Sequence, residues 1–142
     1  MKIKILGVLF VALSAFLPNI VWALQSSGPY LYDQLSKPAY KKSFYVLFKG
    51  QHNLEPWLKG YLKNLNGVDT PAKTRMIGKK KYELYEICQP HNCPRNVLYV
   101  LFQPSGTRAW ALFTKDDGTS RFFGNPEKEM QTALKSVMHE RE

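Results

Sequence analysis

The sequence has few of the residues that stabilise very small domains or bind metals. Its 142 residues include two cysteines and three histidines, too few for a scaffold built from several disulfides. Acidic residues are also scarce, because eleven Asp and Glu stand against twenty Lys and Arg, which leaves a formal net charge of +9. No segment recurs at a period of about 20 to 50 residues, and this excludes a repeat protein. The chain must therefore fold around an apolar core.

Apolar and aromatic residues, in contrast, are abundant. They make up 44% and 13% of the chain, whereas disordered chains have low hydrophobicity and few aromatics. This composition excludes an intrinsically disordered protein, and the length suits a single domain.

The common sequence motifs of catalytic sites are missing. There is no glycine-rich phosphate loop, no Gly-x-Ser-x-Gly and no His-Glu-x-x-His. Glu83 and Glu86 lie three residues apart in a predicted strand, so their side chains point to opposite faces of the sheet. His52 and His139 lie far in sequence from the cysteines, which argues against a metal site. We therefore predict that the protein is not an enzyme and needs no metal or cofactor.

The first 23 residues are predicted to be a secretory signal peptide. Lys2 and Lys4 provide a basic start, residues 5–16 are almost entirely apolar, and Ala23 is a small residue suited to cleavage. An uncleaved membrane anchor is the alternative, but a spanning helix needs about 20 apolar residues. Cleavage after Ala23 would release residues 24–142 as one periplasmic domain of net charge +7 that does not insert into the membrane.

Hydrophobic periodicity in residues 24–142 predicts two helical segments before the strands. A stripe of apolar residues one helical turn apart follows the predicted N-cap Ser36, and it predicts a helix of about thirteen residues that ends at Gly50. Residues 24–35 favour no regular element, whereas residues 54–67 carry a short, interrupted helical pattern.

Strands are predicted within residues 74–123, followed by a terminal helix with Asn125 as its N-cap. Turn residues at 78–80 and 104–106 divide the strands into hairpins. Residues 97–102 are apolar at every position, as in a strand covered on both faces. The pattern therefore predicts an α+β fold, with an antiparallel sheet of about five strands, helices packed on one face and a protruding loop closed by a disulfide.

Cys88 and Cys93 enclose only the residues 89–92. In the oxidising environment of an exported protein, we predict that these cysteines form a disulfide. In the chain-entropy model, a ring this short stabilises a fold by only about 2 kcal/mol. Its main effect would be local, because the disulfide and the fixed φ angle of Pro90 would hold a stiff tip that presents His91. A redox-active pair, a metal site and a structural clip with an incidental histidine are the alternatives.

The loop sequence Cys-Gln-Pro-His-Asn-Cys resembles the Cys-Lys-Pro-His-Asp/Asn-Cys loop of the Ivy family, the inhibitors of vertebrate lysozyme found in Gram-negative periplasms. Gln89 replaces the usual lysine, whereas Asn92 is within the family's range. The resemblance covers most of the chain after the signal peptide and includes residues 54–58, 70–72 and 111–113 and the spacing from Tyr82 to Cys88.

The resemblance implies that the loop enters the cleft of a C-type lysozyme, where His91 hydrogen-bonds the catalytic carboxylates. A retaining glycosidase has two such groups about 5 Å apart, and an imidazole can donate to one and accept from or donate to the other. We therefore expect His91 to be the key inhibitory residue. The other loop residues would support it: Pro90 shapes the loop, Cys88 and Cys93 lock it, and Gln89 and Asn92 contact the rim of the cleft.

Two other hypotheses stay open. The same loop would suit the cell's own lytic transglycosylases, which also rely on an acidic catalytic residue. Lys79, Lys80 and Lys81, interpreted mainly as a solvated turn, would suit an anionic envelope polymer, although not nucleic acid in an exported protein. The resemblance is compatible with a monomer or a homodimer. C-type lysozymes are themselves basic, so we expect long-range repulsion to slow association at low salt.

Overall fold

The computed structural model describes residues 28–93 and 95–140. The signal peptide predicted for residues 1–23 lies outside this part. Among the helices of the described residues, none has the length and the hydropathy to span a membrane.

The strands of the described chain form one antiparallel sheet. It contains β1 (Val68–Asp69), β2 (Lys73–Ile77), β3 (Lys80–Cys88), β4 (Val97–Phe102), β5 (Ala109–Thr114) and β6 (Ser120–Phe123). The long strand β3 pairs with β4 along one edge, and along its other edge it pairs with β2 near its start and with β1 at its end. β4, β5 and β6 then follow one another as antiparallel neighbours.

Helices cover both faces of this sheet. They are α1 (Leu31–Gln34), α2 (Pro38–Phe48), α3 (Pro56–Asn64) and α4 (Lys128–His139). The first three pack on one face, where Phe44, Leu58 and Tyr61 are completely buried in a core with β3, β4 and β5. α4 packs on the opposite face, where Met130 and Leu134 belong to a second core. The sheet is therefore the middle layer of three.

The α+β class and the antiparallel sheet are confirmed, but the expectation that the helices share one face is wrong. Every residue of β4 and of β5 is buried. Because alternate side chains of a strand point to opposite faces, strands of this kind need a cover on each face. The terminal helix α4 supplies the second cover through the buried stripe of Met130, Leu134 and Val137.

Two helices begin later than predicted. Lys37, not Ser36, is the N-cap of α2, because the Ser36 hydroxyl donates to the carbonyl oxygen of Asp33 at 2.6 Å in the preceding turn. Glu127, not Asn125, is the N-cap of α4. Asn125 has a left-handed φ of +48°, whereas an N-cap residue has an extended conformation.

The sheet places the candidate loop at the end of β3 and the start of the central strand β4. β3 and β4 pair without interruption from Glu83 opposite Phe102 to Cys88 opposite Val97. Both strands are buried where the loop begins and ends. The described residues of the loop between these strands, 89–93 and 95–96, therefore project from a rigid base.

Candidate functional site: a disulfide-closed loop

Cys88 and Cys93 form the disulfide that the sequence predicts. Cys88 is the buried last residue of β3, whereas Cys93 lies on the exposed part of the loop. Their Cα atoms are 5.4 Å apart, a common spacing in native disulfides. The bond therefore ties the exposed side of the loop to the end of a buried strand.

His91 lies at the tip of a four-residue turn. The backbone N–H of Asn92 donates to the carbonyl oxygen of Gln89 at 3.0 Å and closes this turn. Pro90 is at the second position, and His91 at the third has a φ of +63°, which is the combination of a type II turn. Histidine is one of the few residues besides glycine that adopt this left-handed conformation with some frequency. The turn leaves His91 exposed to solvent.

Backbone hydrogen bonds close the neck of the loop. The N–H of Gln89 donates to the carbonyl oxygen of Asn96 at 3.0 Å, which extends the β3–β4 ladder by one step. The N–H groups of Arg95 and Asn96 both donate to the carbonyl oxygen of Asn92, at 3.0 and 3.2 Å. Asn92 therefore takes part in the turn that carries His91 and also accepts hydrogen bonds from the residues that lead into β4. A shift of Asn92 would move the tip of the loop.

A side-chain network inside the loop joins Gln89 to two asparagines. Asn96 Nδ2 donates to Gln89 Oε1 at 2.9 Å, and Asn92 Nδ2 lies 3.4 Å from the same oxygen. Asn96 is only 7% exposed, so its amide depends on protein partners rather than on water. A lysine has no acceptor atom and could not take the place of Gln89 in this network.

The network gives Gln89 a role inside the loop that its sequence position alone does not indicate. Its side-chain carbonyl braces the loop from within, and contact of Gln89 and Asn92 with the rim of a cleft stays a prediction. Asn96 was missed altogether. Its signal in the sequence is weak, because it is only a polar residue directly before the apolar run of β4.

A buried tyrosine–aspartate pair lies beside the base of the loop. In the β1–β3 ladder, Val68 is opposite Cys88 and Asp69 is opposite Ile87. Tyr61 of α3 is completely buried, and its hydroxyl donates to Asp69 Oδ2 at 2.9 Å. Burial raises the pKa of the Asp69 carboxyl, while the hydrogen bond from Tyr61 opposes part of this rise. The hydrogen bond therefore links α3 to Asp69 of β1. The residue before Asp69, Val68, lies opposite Cys88 of the disulfide.

Charge is distributed unevenly along the sheet. Lys79, Lys80 and Lys81 are exposed, as predicted for a solvated turn, and they lie at the start of β3, the end opposite the loop. The turn between β5 and β6 lies at the same end as the loop and carries the exposed residues Asp116 and Asp117. The loop therefore projects from the end of the sheet that is farther from the lysine run.

The two glutamates of β3 do not form a catalytic pair. Glu83 accepts hydrogen bonds from the hydroxyl groups of Tyr40 and Tyr85 beneath the first helices, whereas Glu86 pairs with Lys73 at 2.8 Å. Burial and the neighbouring Glu83 raise the pKa of Tyr40 to about 12. Within residues 28–93 and 95–140, no group of three or more His, Cys, Asp and Glu is placed to hold a metal ion.

Comparison with known proteins points to one family. The family described as "Inhibitor of vertebrate lysozyme (Ivy)" matches residues 49–140, a segment that contains the loop. A protein named inhibitor of vertebrate lysozyme from Pseudomonas aeruginosa is 25% identical over an alignment of length 119, and the match covers 75% of this chain and 75% of that protein. An uncharacterised protein of Yersinia pestis is 27% identical over 103 residues, 72% of this chain and 64% of that protein.

A second protein named inhibitor of vertebrate lysozyme, from Escherichia coli K12, is 31% identical over 83 residues. These are 57% of this chain and 48% of the Escherichia coli protein. The chain thus spans about three quarters of the length of one curated relative and about half of the length of another.

Proposed function

The chain belongs to the Ivy family, and we propose that it inhibits a C-type lysozyme by placing the loop of residues 88–93 in the catalytic cleft. The observation that carries this proposal is the position of His91, which is exposed at the tip of a loop anchored at both ends in buried strands. The matched relatives named as lysozyme inhibitors support the choice of target.

The chemistry of the cleft explains why a histidine is suited to this role. A retaining glycosidase holds one protonated and one ionised carboxyl group about 5 Å apart. The two nitrogens of the His91 imidazole can donate to the ionised group and accept from the protonated one, or donate to both when the ring is charged. The same ring would occupy the space of the scissile sugar, so substrate and inhibitor would exclude each other.

The rigidity of the loop supports tight binding through few contacts. A flexible loop loses conformational freedom when it docks, and this loss weakens the complex. Here the disulfide, the ring of Pro90 and the hydrogen bonds between Gln89 and Asn96 restrict the loop before it meets a partner. Most of the interaction with the cleft would therefore contribute to affinity.

We place the protein in the periplasm after cleavage of residues 1–23. The basic and apolar pattern of these residues supports export, and the bond between Cys88 and Cys93 suits an oxidising compartment. A lysozyme that crosses the outer membrane would meet the inhibitor there, next to the peptidoglycan that it cleaves.

A turbidity assay tests this function. Egg-white lysozyme lyses a suspension of bacterial cell walls, and we expect the purified protein to slow this lysis in proportion to its concentration. No slowing at micromolar excess would contradict the proposal. A parallel assay with a purified lytic transglycosylase separates the two candidate targets, because an endogenous regulator would inhibit that enzyme more strongly than lysozyme.

A further inference from the structure

The outer surface of α2 and α3 is strongly basic. Residues 37–64 contain six lysines and one acidic residue, Glu55, so this layer contributes +5 to the chain's net charge of +9. Among the described residues, none of these lysines forms an ion pair, and Glu55 is already paired with Lys115 at 2.9 Å. We call the surface the α2–α3 lysine face and define it by the exposed residues Lys37, Lys41, Lys42, Lys49, Lys59 and Lys63.

Apolar grooves lie on both sides of α2 at this face. One groove, with a volume of about 470 Å³, lies between α2 and the start of β5 and includes Leu47. The other, of about 550 Å³, lies between α2 and the end of α3 and includes Leu62 and Lys49. Val46 and Lys42 border both grooves, and Val46 is 59% exposed. The face therefore combines ammonium groups with accessible apolar surface.

This combination restricts the chemistry of a partner. A second copy of the chain would present the same lysines, and a basic lysozyme would add more positive charge, so like-charge repulsion disfavours both. The partner must carry negative charge. An anionic polysaccharide would satisfy the lysines but would leave Val46 and the apolar grooves in water. An anionic lipid surface provides phosphate groups for the lysines and an acyl boundary for the apolar side chains.

We propose that the α2–α3 lysine face binds the surface of an anionic phospholipid membrane, with Val46 at the boundary between headgroups and acyl chains. Binding would be peripheral and reversible, because no hydrophobic span is involved. The loop would stay accessible, since it extends along the strand direction from one end of the sheet whereas α2 and α3 cover a face. The proposal is independent of the target of His91.

Vesicle sedimentation tests the proposal. The mature protein, purified from the soluble fraction of an exporting host, is mixed with vesicles of phosphatidylcholine or of phosphatidylcholine with phosphatidylglycerol. We expect binding only to the vesicles with phosphatidylglycerol, and we expect it to weaken with salt because the attraction is screened. If the parent protein bound both kinds of vesicle equally, or bound neither, the proposal would be overturned by this experiment alone.

Two triple variants with the same change of net charge test whether the α2–α3 lysine face is the surface that binds the vesicles. K41Q/K42Q/K49Q should lower the partition coefficient about 100-fold, because each lysine near an anionic surface strengthens binding about fivefold. K79Q/K80Q/K81Q, at the far end of β3, should change it little. If the two variants lost binding equally, net charge rather than this face would be responsible, and the proposal would be wrong.

The variant Val46→Ser distinguishes a membrane from a soluble polyanion. It should weaken binding to phosphatidylglycerol vesicles severalfold and leave binding to dextran sulfate unchanged. If Val46→Ser bound the vesicles as well as the parent did, the face would recognise anionic polymers instead, and the membrane proposal would fail. At 0.15 M salt, where long-range repulsion is largely screened, all these variants should inhibit lysozyme like the parent. This result would show that they are folded and keep the test separate from that of the loop.

Discussion

The side-chain amide of Asn96 donates a hydrogen bond of 2.9 Å to Gln89 Oε1 across the neck of the loop. The same two residues are also joined by a backbone hydrogen bond of 3.0 Å. With the disulfide of Cys88 and Cys93 one step away, the loop is cross-linked both covalently and by hydrogen bonds. The side-chain hydrogen bond of this brace, the pair of bonds between Gln89 and Asn96, uses the glutamine that replaces the lysine usual in the family's loop.

Replacing Asn96 with Ala should loosen the loop and weaken inhibition. The change removes a buried donor and leaves Gln89 Oε1 without its shorter hydrogen bond, so we expect the free energy of unfolding to fall by about 1–3 kcal/mol. The dissociation rate of the lysozyme complex should rise. Urea unfolding and surface plasmon resonance measure the two effects, and Asn64→Ala at the exposed end of α3 is the control. Unchanged dissociation would show that the brace does not position His91.

Replacing Cys88 and Cys93 together by Ser should have a small effect on stability and a larger one on inhibition. The ring is short, so the free energy of unfolding should fall by only about 2 kcal/mol. The freed loop must then be ordered on binding, and the inhibition constant should rise. Chemical denaturation and a lysozyme assay, with and without a reductant for the parent, provide the comparison. Pre-organisation by the disulfide would be the wrong explanation if the double variant inhibited as well as the parent.

The buried Asp69 carboxyl makes stability depend on pH in a defined direction. Its pKa is raised in the folded state by burial, so folding favours its neutral form. The resulting contribution to stability is complete below the unfolded pKa and is lost as the pH rises through the folded pKa. The free energy of unfolding of the parent minus that of Asp69→Asn should therefore be larger at pH 3 than at pH 7.

The variant Tyr61→Phe provides a second check on Asp69. The Tyr61 hydroxyl donates to Asp69 Oδ2 at 2.9 Å and lowers its pKa, so loss of the hydroxyl should raise that pKa further. Compared with the parent, Tyr61→Phe should then lose more stability between pH 3 and pH 7. Urea titrations at several pH values measure both variants, and an equal pH profile for all three proteins would contradict the assignment.

The salt dependence of association tests the electrostatics of docking. The proposed cleavage would leave a net charge of +7, so the protein and a basic lysozyme should repel each other at long range. Salt shortens the Debye length from about 30 Å at 0.01 M to about 8 Å at 0.15 M. The association rate constant should therefore rise, or at least not fall, over this range. Surface plasmon resonance against egg-white lysozyme at several ionic strengths measures it.

The lysine run at the far end of β3 provides the matched variant for this measurement. K79Q/K80Q/K81Q should associate faster than the parent at low salt and at about the same rate at high salt, while the dissociation rate stays unchanged. A steep fall of the parent's association rate with salt would contradict the prediction. It would mean that local attraction, for example by Asp116 and Asp117 near the loop, outweighs the net charge.

Elements with a strong local pattern could be predicted from the sequence. The strands β2 to β6, the helix α2 and the disulfide follow from periodicity, turn residues and cysteine spacing. The apolar run of residues 97–102 also indicated a strand covered on both faces, but no local signal assigns a helix to a face. That assignment depends on how α4 packs after the sheet has formed.

The missed elements are short or held by tertiary contacts. The sequence pattern predicts no regular element for residues 31–34, but they form α1, where Leu31 is completely buried in the core that α2 also covers. The two-residue strand β1 has no periodicity of its own and exists because β3 extends far enough to pair with it. Asn96 was missed for a similar reason, because its partner Gln89 is seven residues away across the loop.

His91 itself can be separated from the fold around it. Its side chain is exposed, so His91→Ala should leave the thermal unfolding temperature nearly unchanged and remove most of the inhibition. His52→Ala changes another exposed histidine and should inhibit like the parent. A large loss of folded protein in His91→Ala would instead favour a structural role for the loop.

A double-mutant cycle tests the central claim most directly. The affinity of the parent and of His91→Ala is measured for lysozyme and for lysozyme variants in which either catalytic carboxyl group is changed to an amide. If His91 hydrogen-bonds these groups, His91→Ala should lower the affinity less for a lysozyme whose carboxyl group is already an amide. The coupling free energy should be about 1.5 kcal/mol or more for at least one carboxyl group. Coupling within about 0.5 kcal/mol of zero for both groups would contradict the account.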